Sequence, residues 1–237
     1  MKKLLFGFLL LFTVSVISTW AVVEDYDSIA TRLTDRFVLL HKADSSEFPP
    51  LPLLQTALAG YEMLIEENSI SRPEVITIID FSLPSNKERL WVVDLIQGKV
   101  LFRCLVSHGR NSGELMAENF SNIPGSNTSS PGFYATGETY FGKHGLSLTL
   151  DGLESGINDK ARERAIVIHG ADYVSADFIR NHGRLGRSLG CPAVPVELCK
   201  EIIQTIKGGS CLFIYVPKTS YTSNSQIISK IKSITKV

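Results

Sequence analysis

Two hydrophobic periodicities divide this chain. Before Glu74 the apolar positions recur every three or four residues; after it they fall in short runs bounded by glycine and polar clusters. From Ser28 to Lys42, Ile29, Leu33, Phe37 and Leu40 form one stripe, and from Leu51 to Glu67, Leu54, Leu58, Tyr61 and Leu64/Ile65 form another. That spacing lines one face of a helix. Phe48-Pro49-Pro50 breaks the two apart. The pattern predicts a helical N-terminal extension over residues 22–73, packed on the main domain.

From Glu74 onward the chain reads as β structure. Val75–Asp80, Leu90–Leu95 and Lys99–Val106 are predicted strands, the last two joined by a turn at Gln97-Gly98. Strand patterns resume at Gly132–Thr136, Gly145–Leu150, Arg164–Ile168 and Ser210–Val216. A helix is expected from about Val196 to Lys207, started by Pro195 and stopped by Gly208-Gly209. Ser107–Gly132 is rich in Ser, Asn and Gly and lacks periodicity; a loop that long inside a domain is either functional or disordered. Asn181–Ser188 reads as a turn-rich loop, and Lys218–Val237 as a polar tail with room for a short terminal helix. The expected fold is a mainly β domain over residues 74–217, with the helical extension and a few short helices.

The N-terminus changes the picture of where the chain works. Met1-Lys2-Lys3 precedes an apolar run from Leu4 to Ile17, too short for a membrane span and suited to a secretory signal. Thr19-Trp20-Ala21 offers small residues for cleavage after Ala21; retention of residues 1–21 as an anchor is the competing reading, and the only membrane contact expected. Lys+Arg and Asp+Glu both number 24, so no overall field selects nucleic acid. Cys104, Cys191, Cys199 and Cys211 would allow two disulfides in an oxidising compartment. A chain of this size does not need them: Cys104 and Cys211 sit in apolar runs that suit buried strands, and Cys199 falls in the expected Val196–Lys207 helix, where it suits packing.

Cys191 differs, lying between Gly190 and Pro192, 22 residues after His169. A thiol attacks carbonyls as thiolate, and a nearby imidazole is the usual means of making one. Gly190 lets the turn aim backbone N–H groups at an oxyanion, and Gly170 follows the histidine. A small buried thiol at a strand end fits the spacing equally well, and a strand-capping imidazole fits His169. Arg184 and Arg187 flank the cysteine loop with Ser188 and suit a substrate carboxylate, or solvent. Tyr140 and His144 are further candidates for substrate contact. His108, His144, His169 and His182 show no metal-ligand spacing, so neither a metal nor another cofactor is expected.

Taken together, these motifs resemble the YkuD-type L,D-transpeptidase catalytic domains, closest to the murein L,D-transpeptidase catalytic domain subfamily. The matching residues are Ile168-His169-Gly170 and Gly183 through Ala193, with Ser107-His108-Gly109, Phe120-Ser121-Asn122, Gly142-Lys143-His144-Gly145, Ser147-Leu148 and Gly152-Leu153-Glu154. The resemblance implies a β-rich sandwich or barrel in the cell envelope, acting on peptidoglycan stem peptides. It makes Cys191 the nucleophile, His169 the general base and acid, the Gly190 and Cys191 amides the oxyanion donors, and the Gly170 carbonyl the group that orients the imidazole. Many members carry Arg two residues after the cysteine and often His two before it, where this chain has Ala193 and Leu189. Arg184 or Arg187 is then the expected replacement. The same site with water as acceptor would be an L,D-carboxypeptidase or endopeptidase, and a fold without activity would be an envelope-binding protein.

Overall fold

The computed structural model describes residues 33–234, so the expected signal and the first five residues of the helix expected from Ser28 lie outside the described residues. Helix α1 covers residues 33–43. It is followed by α2 (Leu51–Glu66), β1 (Val75–Asp80), β2 (Leu90–Asp94), β3 (Lys99–Cys104), β4 (Gly132–Gly142), β5 (Gly145–Gly152), β6 (Val167–Gly170), α3 (Ala176–His182), β7 (Ala193–Val194), α4 (Val196–Ile206), β8 (Cys211–Tyr215), α5 (Thr219–Asn224) and α6 (Gln226–Ile234). The strands form one eight-stranded mixed sheet in the order β3-β2-β1-β8-β4-β5-β6-β7. Past β3 the chain swings round so that Ser107 bridges Ala193 of β7, the strand at the other edge. The sheet therefore curls nearly shut, as the mainly β expectation requires.

Parallel pairing of β1 with β8 joins the two halves of the sequence, Ile78 beside Phe213. All six positions of β1 are buried, because α2 and α4 both pack on it. A strand covered on both faces reads as a near-continuous apolar run, which is how Val75–Ile79 looks, with Thr77 its one polar position. Helix α2 docks through its smallest residue. A Cβ on Gly60 would sit 2.1 Å from Phe133 Cζ, and Phe133 stacks on Phe213 with ring centroids 4.2 Å apart. The helical extension thus shares the core of the sheet.

Three elements differ from the sequence expectation. Helix α3 occupies a stretch whose sequence predicts no element; none of its residues is buried, so it carries no apolar stripe. Strand β6 starts later than predicted, because Ala165 has φ +53 and ends a run of turns. The polar tail holds two helices instead of one. Buried Glu154 gathers them, accepting from the Phe133 N–H and from the Tyr221 and Ser225 hydroxyls, while α6 packs along α2.

Replacing Gly60 with Ala forces α2 off the Phe133 ring. The expected loss is about 1–3 kcal/mol, as for other overpacked core sites, read as a lower urea midpoint. An unchanged midpoint would show that α2 is not seated on the sheet.

Candidate active site

Strand β7 pairs in parallel with β6, His169 beside Ala193 and Gly170 beside Val194. Running that register back two residues sets Cys191 beside Val167. Its Sγ accepts the Val167 N–H at 3.5 Å and donates to the Ala165 carbonyl at 3.7 Å. Ser188 closes the turn in front: its Oγ donates to the Cys191 carbonyl at 2.7 Å and accepts the Gly190 N–H at 3.0 Å. Gly190 has φ +128, and a Cβ there would lie 2.8 Å from the Thr128 carbonyl oxygen. No other residue fits that conformation and that gap. Since the Gly190 amide is spent on Ser188, the turn's remaining donor is the Cys191 N–H, which bonds no other residue among those described and lies beside its own sulfur.

The long Ser107–Gly132 segment is the wall that holds this turn. Ser107 donates its N–H to the Ala193 carbonyl at 2.9 Å, Ser188 donates to His108, and Arg110 donates back to Ser188. Buried Ser129 links the two sides, its Oγ accepting the Gly109 N–H and donating to the Gly190 carbonyl, both at 3.0 Å. Below lies a fully buried cation. Arg89 donates to the Val106 and Leu83 carbonyls and, through Nη2, to His108 Nδ1 at 2.8 Å. His108 is thereby held neutral, with Nε2–H donating to the Gly113 carbonyl. Burial and the Arg89 charge push its pKa from 6.5 down to about 4.

His169 is 2% exposed and donates Nδ1–H to the Gly170 carbonyl at 2.9 Å, which leaves the lone pair on Nε2. The His144 ring stacks on it, centroids 4.4 Å apart. Burial lowers the His169 pKa, the Gly170 carbonyl opposes that, and His144 adds to it. At Cys191 burial raises the thiol pKa, against the pull of the Val167 N–H and the Arg164 guanidinium. Both groups are therefore neutral at rest. Among the described residues the sulfur makes no hydrogen bond to the imidazole; its partners are Val167 and Ala165. All four cysteines are free.

The structure distributes the remaining candidates unevenly. Arg184 and Arg187 both pair with Glu114, at 2.8 and 2.6 Å, and Arg187 also donates to the Arg110 and Gly113 carbonyls. These contacts pin the loop after His108 to the cysteine loop. The arginine that acts electrostatically on Cys191 is Arg164. Ser188 is buried and satisfied within the turn. Tyr140 and His144 lie on the exposed β4–β5 hairpin, His144 reaching back to His169. Sequence reasoning misses Tyr173 along with Arg164. Burial and the nearby Cys191 push the Tyr173 phenol up to about 12, and the Ser107 hydroxyl beside it opposes the rise. The β6–β7 pairing would have revealed Arg164, since it brings the residues just before Val167 to the thiol.

Residues 50–215 match the sequence model of the L,D-transpeptidase catalytic domain. Among solved structures, the L,D-transpeptidase from Mycobacterium smegmatis is 12% identical at a TM-score of 0.38, over 60% of this chain and 59% of that one. Pgp2, a helical cell shape determining protein from Campylobacter jejuni, is 15% identical at 0.41, over 61% and 48%. The L,D-transpeptidase from Xylanimonas cellulosilytica is 15% identical at 0.36, over 65% and 68%. The chain spans about half to three-fifths of the first two. A comparison with curated proteins finds no match.

The Arg89–His108 brace predicts acid sensitivity. His108 has a lower pKa folded than unfolded, so its stabilising effect is complete above pH 6.5 and is lost as pH falls toward about 4. The melting temperature should drop across that window, and less steeply in His108→Gln. Equal slopes in both proteins would exclude His108 as the group responsible.

Proposed function

Because this chain belongs to the L,D-transpeptidase catalytic-domain family, we propose that it is an exported cysteine acyltransferase acting on peptidoglycan stem peptides, with Cys191 as nucleophile and His169 as its base. The observation that carries the reading is the β6–β7 pair, which sets a neutral imidazole on one strand and a thiol at the entrance to the next.

In the proposed reaction the thiol turns from the Ala165 carbonyl by rotation about its Cα–Cβ bond. His169 Nε2 takes the Sγ proton as sulfur attacks the carbonyl between an L-centre and the terminal D-residue. The oxyanion accepts the Cys191 N–H. As the C–N bond breaks, the imidazolium returns the proton to the leaving amine, and a thioester remains on Cys191. An acceptor amine then attacks the thioester and gives its proton to Nε2; the C–S bond breaks, and the thiolate recovers its proton from the imidazolium. The Gly170 carbonyl orients the ring throughout. Water as acceptor would turn the same cycle into hydrolysis.

Burial keeps both groups neutral at rest, so the proton moves as the bond forms. The base must be neutral, and burial lowers the His169 pKa. Activity should therefore persist below pH 6.5 and fall only on a more acidic limb, seen in the pH profile of kcat/KM.

The decisive experiment is incubation of the folded, reduced protein with a carbapenem, followed by mass spectrometry. One adduct on Cys191 is expected, and none in Cys191→Ala; His169→Gln should slow acylation by roughly 10²–10⁴-fold. No adduct in the wild type would leave an envelope-binding protein as the better reading. With stem tetrapeptides and a D-amino acid, exchanged or cross-linked products support transfer, and trimmed peptides alone support hydrolysis.

A further inference from the structure

Arg164 is an unusual cation. Nη1 donates to the Ser121 carbonyl at 2.7 Å and to Ser130 Oγ at 2.5 Å; Nη2 donates to the Thr128 carbonyl at 2.6 Å and to Ser126 Oγ at 3.3 Å. All four acceptors are neutral, and no carboxylate lies within ion-pair distance of it among the described residues. Arg162, two residues earlier, is exposed and pairs with both Glu138 and Asp151. The carboxylates thus compensate the arginine that water already solvates and leave the half-buried one uncompensated. A buried charge without a counter-charge is costly, so the fold retains Arg164 against a penalty.

Its position gives the reason. Nη2 lies 3.4 Å from where a Cβ on Gly190 would be, and the Thr128 carbonyl that it binds is the atom that forces position 190 to be glycine. The Cys191 sulfur rests on the Ala165 carbonyl and the Val167 N–H, one and three residues further along. The ionisable groups that interact with the guanidinium are Cys191 and Tyr134. Tyr134 is 1% exposed and held protonated by burial well above the usual phenol range. Only the thiol is left to become an anion.

We propose that Arg164 is a positioning residue that supplies the counter-charge for the Cys191 thiolate and seats the Ser121–Ser130 loop behind the cysteine turn. It touches no reacting atom in this role. The remaining titratable groups around the thiol are Tyr173, in the loop before α3, and His169 on β6 with His144 stacked on it; burial keeps the Tyr173 phenol protonated and the His169 imidazole neutral, so among the described residues Arg164 is the cation set against the sulfur. The inference rests on Cys191 being the nucleophile.

The test is the pH dependence of Cys191 alkylation by iodoacetamide, followed by peptide mapping so that Cys104, Cys199 and Cys211 do not contribute. Arg164→Gln keeps donors for the loop acceptors and removes the charge; Arg164→Met removes both; Arg164→Lys keeps the charge. Gln and Met should raise the alkylation midpoint by about one pH unit, the low end for an opposite charge near an ionising group, so alkylation at pH 7 slows roughly tenfold. Lys should restore the rate to within about threefold. A role in loop docking alone predicts a wild-type midpoint in Gln, and that result would overturn the proposal. If neither neutral variant folds, Arg164→Lys decides: its ammonium keeps the charge but lacks the planar fork that serves the four loop acceptors, so a near-wild-type midpoint supports the counter-charge and a midpoint raised by about one pH unit overturns the proposal. Carbapenem acylation with an unmoved midpoint in Arg164→Gln would sink this inference and spare the nucleophile. A shifted midpoint without acylation would do the reverse.

Discussion

Two residues of backbone, Ala193 and Val194, tie the cysteine turn to the sheet, and a strand that short cannot hold itself in place. Its neighbours do it. β6 pairs with it on one side, and Ser107, arriving from the far end of the sheet, bridges it on the other. The near-closure of the sheet is therefore what fixes the register of the cysteine turn. Were the edge at Ser107 to open, Cys191 would lose its place beside Val167 and His169 its neighbour Ala193. The Ser188, Ser129 and Arg89 contacts are further fasteners on the same seam.

The same enclosure sets the electrostatics. Removing water from a thiol and an imidazole disfavours the charged form of each, raising one pKa and lowering the other. What offsets the burial comes from fixed groups on the wall: a backbone amide at Val167 and a guanidinium held by four neutral oxygens. Preorganised donors of this kind need no rearrangement when charge develops.

Much of this is legible in the residues. The 3.6-residue stripe of α2, the hairpin at Gln97-Gly98 and the apolar β1 and β8 runs all carry burial as their cause, and burial is what periodicity reports. The Cys191 and His169 candidates can be read because glycine and proline mark the turn around the thiol. Helix α3 cannot be read by burial, since it buries nothing; its signal is the pair of caps, Ser175 accepting from the Phe178 N–H and Gly183 in the left-handed region. Arg164 and Tyr173 escape for another reason. They reach the thiol by strand pairing across 18 residues or more of chain, and pairing partners leave no local pattern. Arg184 and Arg187 flank the cysteine in sequence, and the ion pairs that both make with Glu114 come from a loop about 70 residues earlier, which no local pattern announces.

The distribution of sulfur has a consequence of its own. Cys104 and Cys211 lie in strands and Cys199 in α4, all buried, and burial lifts every one of their thiols away from reactivity. Cys191 alone combines partial exposure with groups that favour its anion. The folded chain therefore presents itself to an electrophile as a one-thiol protein, and the unfolded chain as a four-thiol one. Sulfhydryl stoichiometry becomes a gauge of the native fraction, and the interval before folding is when wrong disulfides can form.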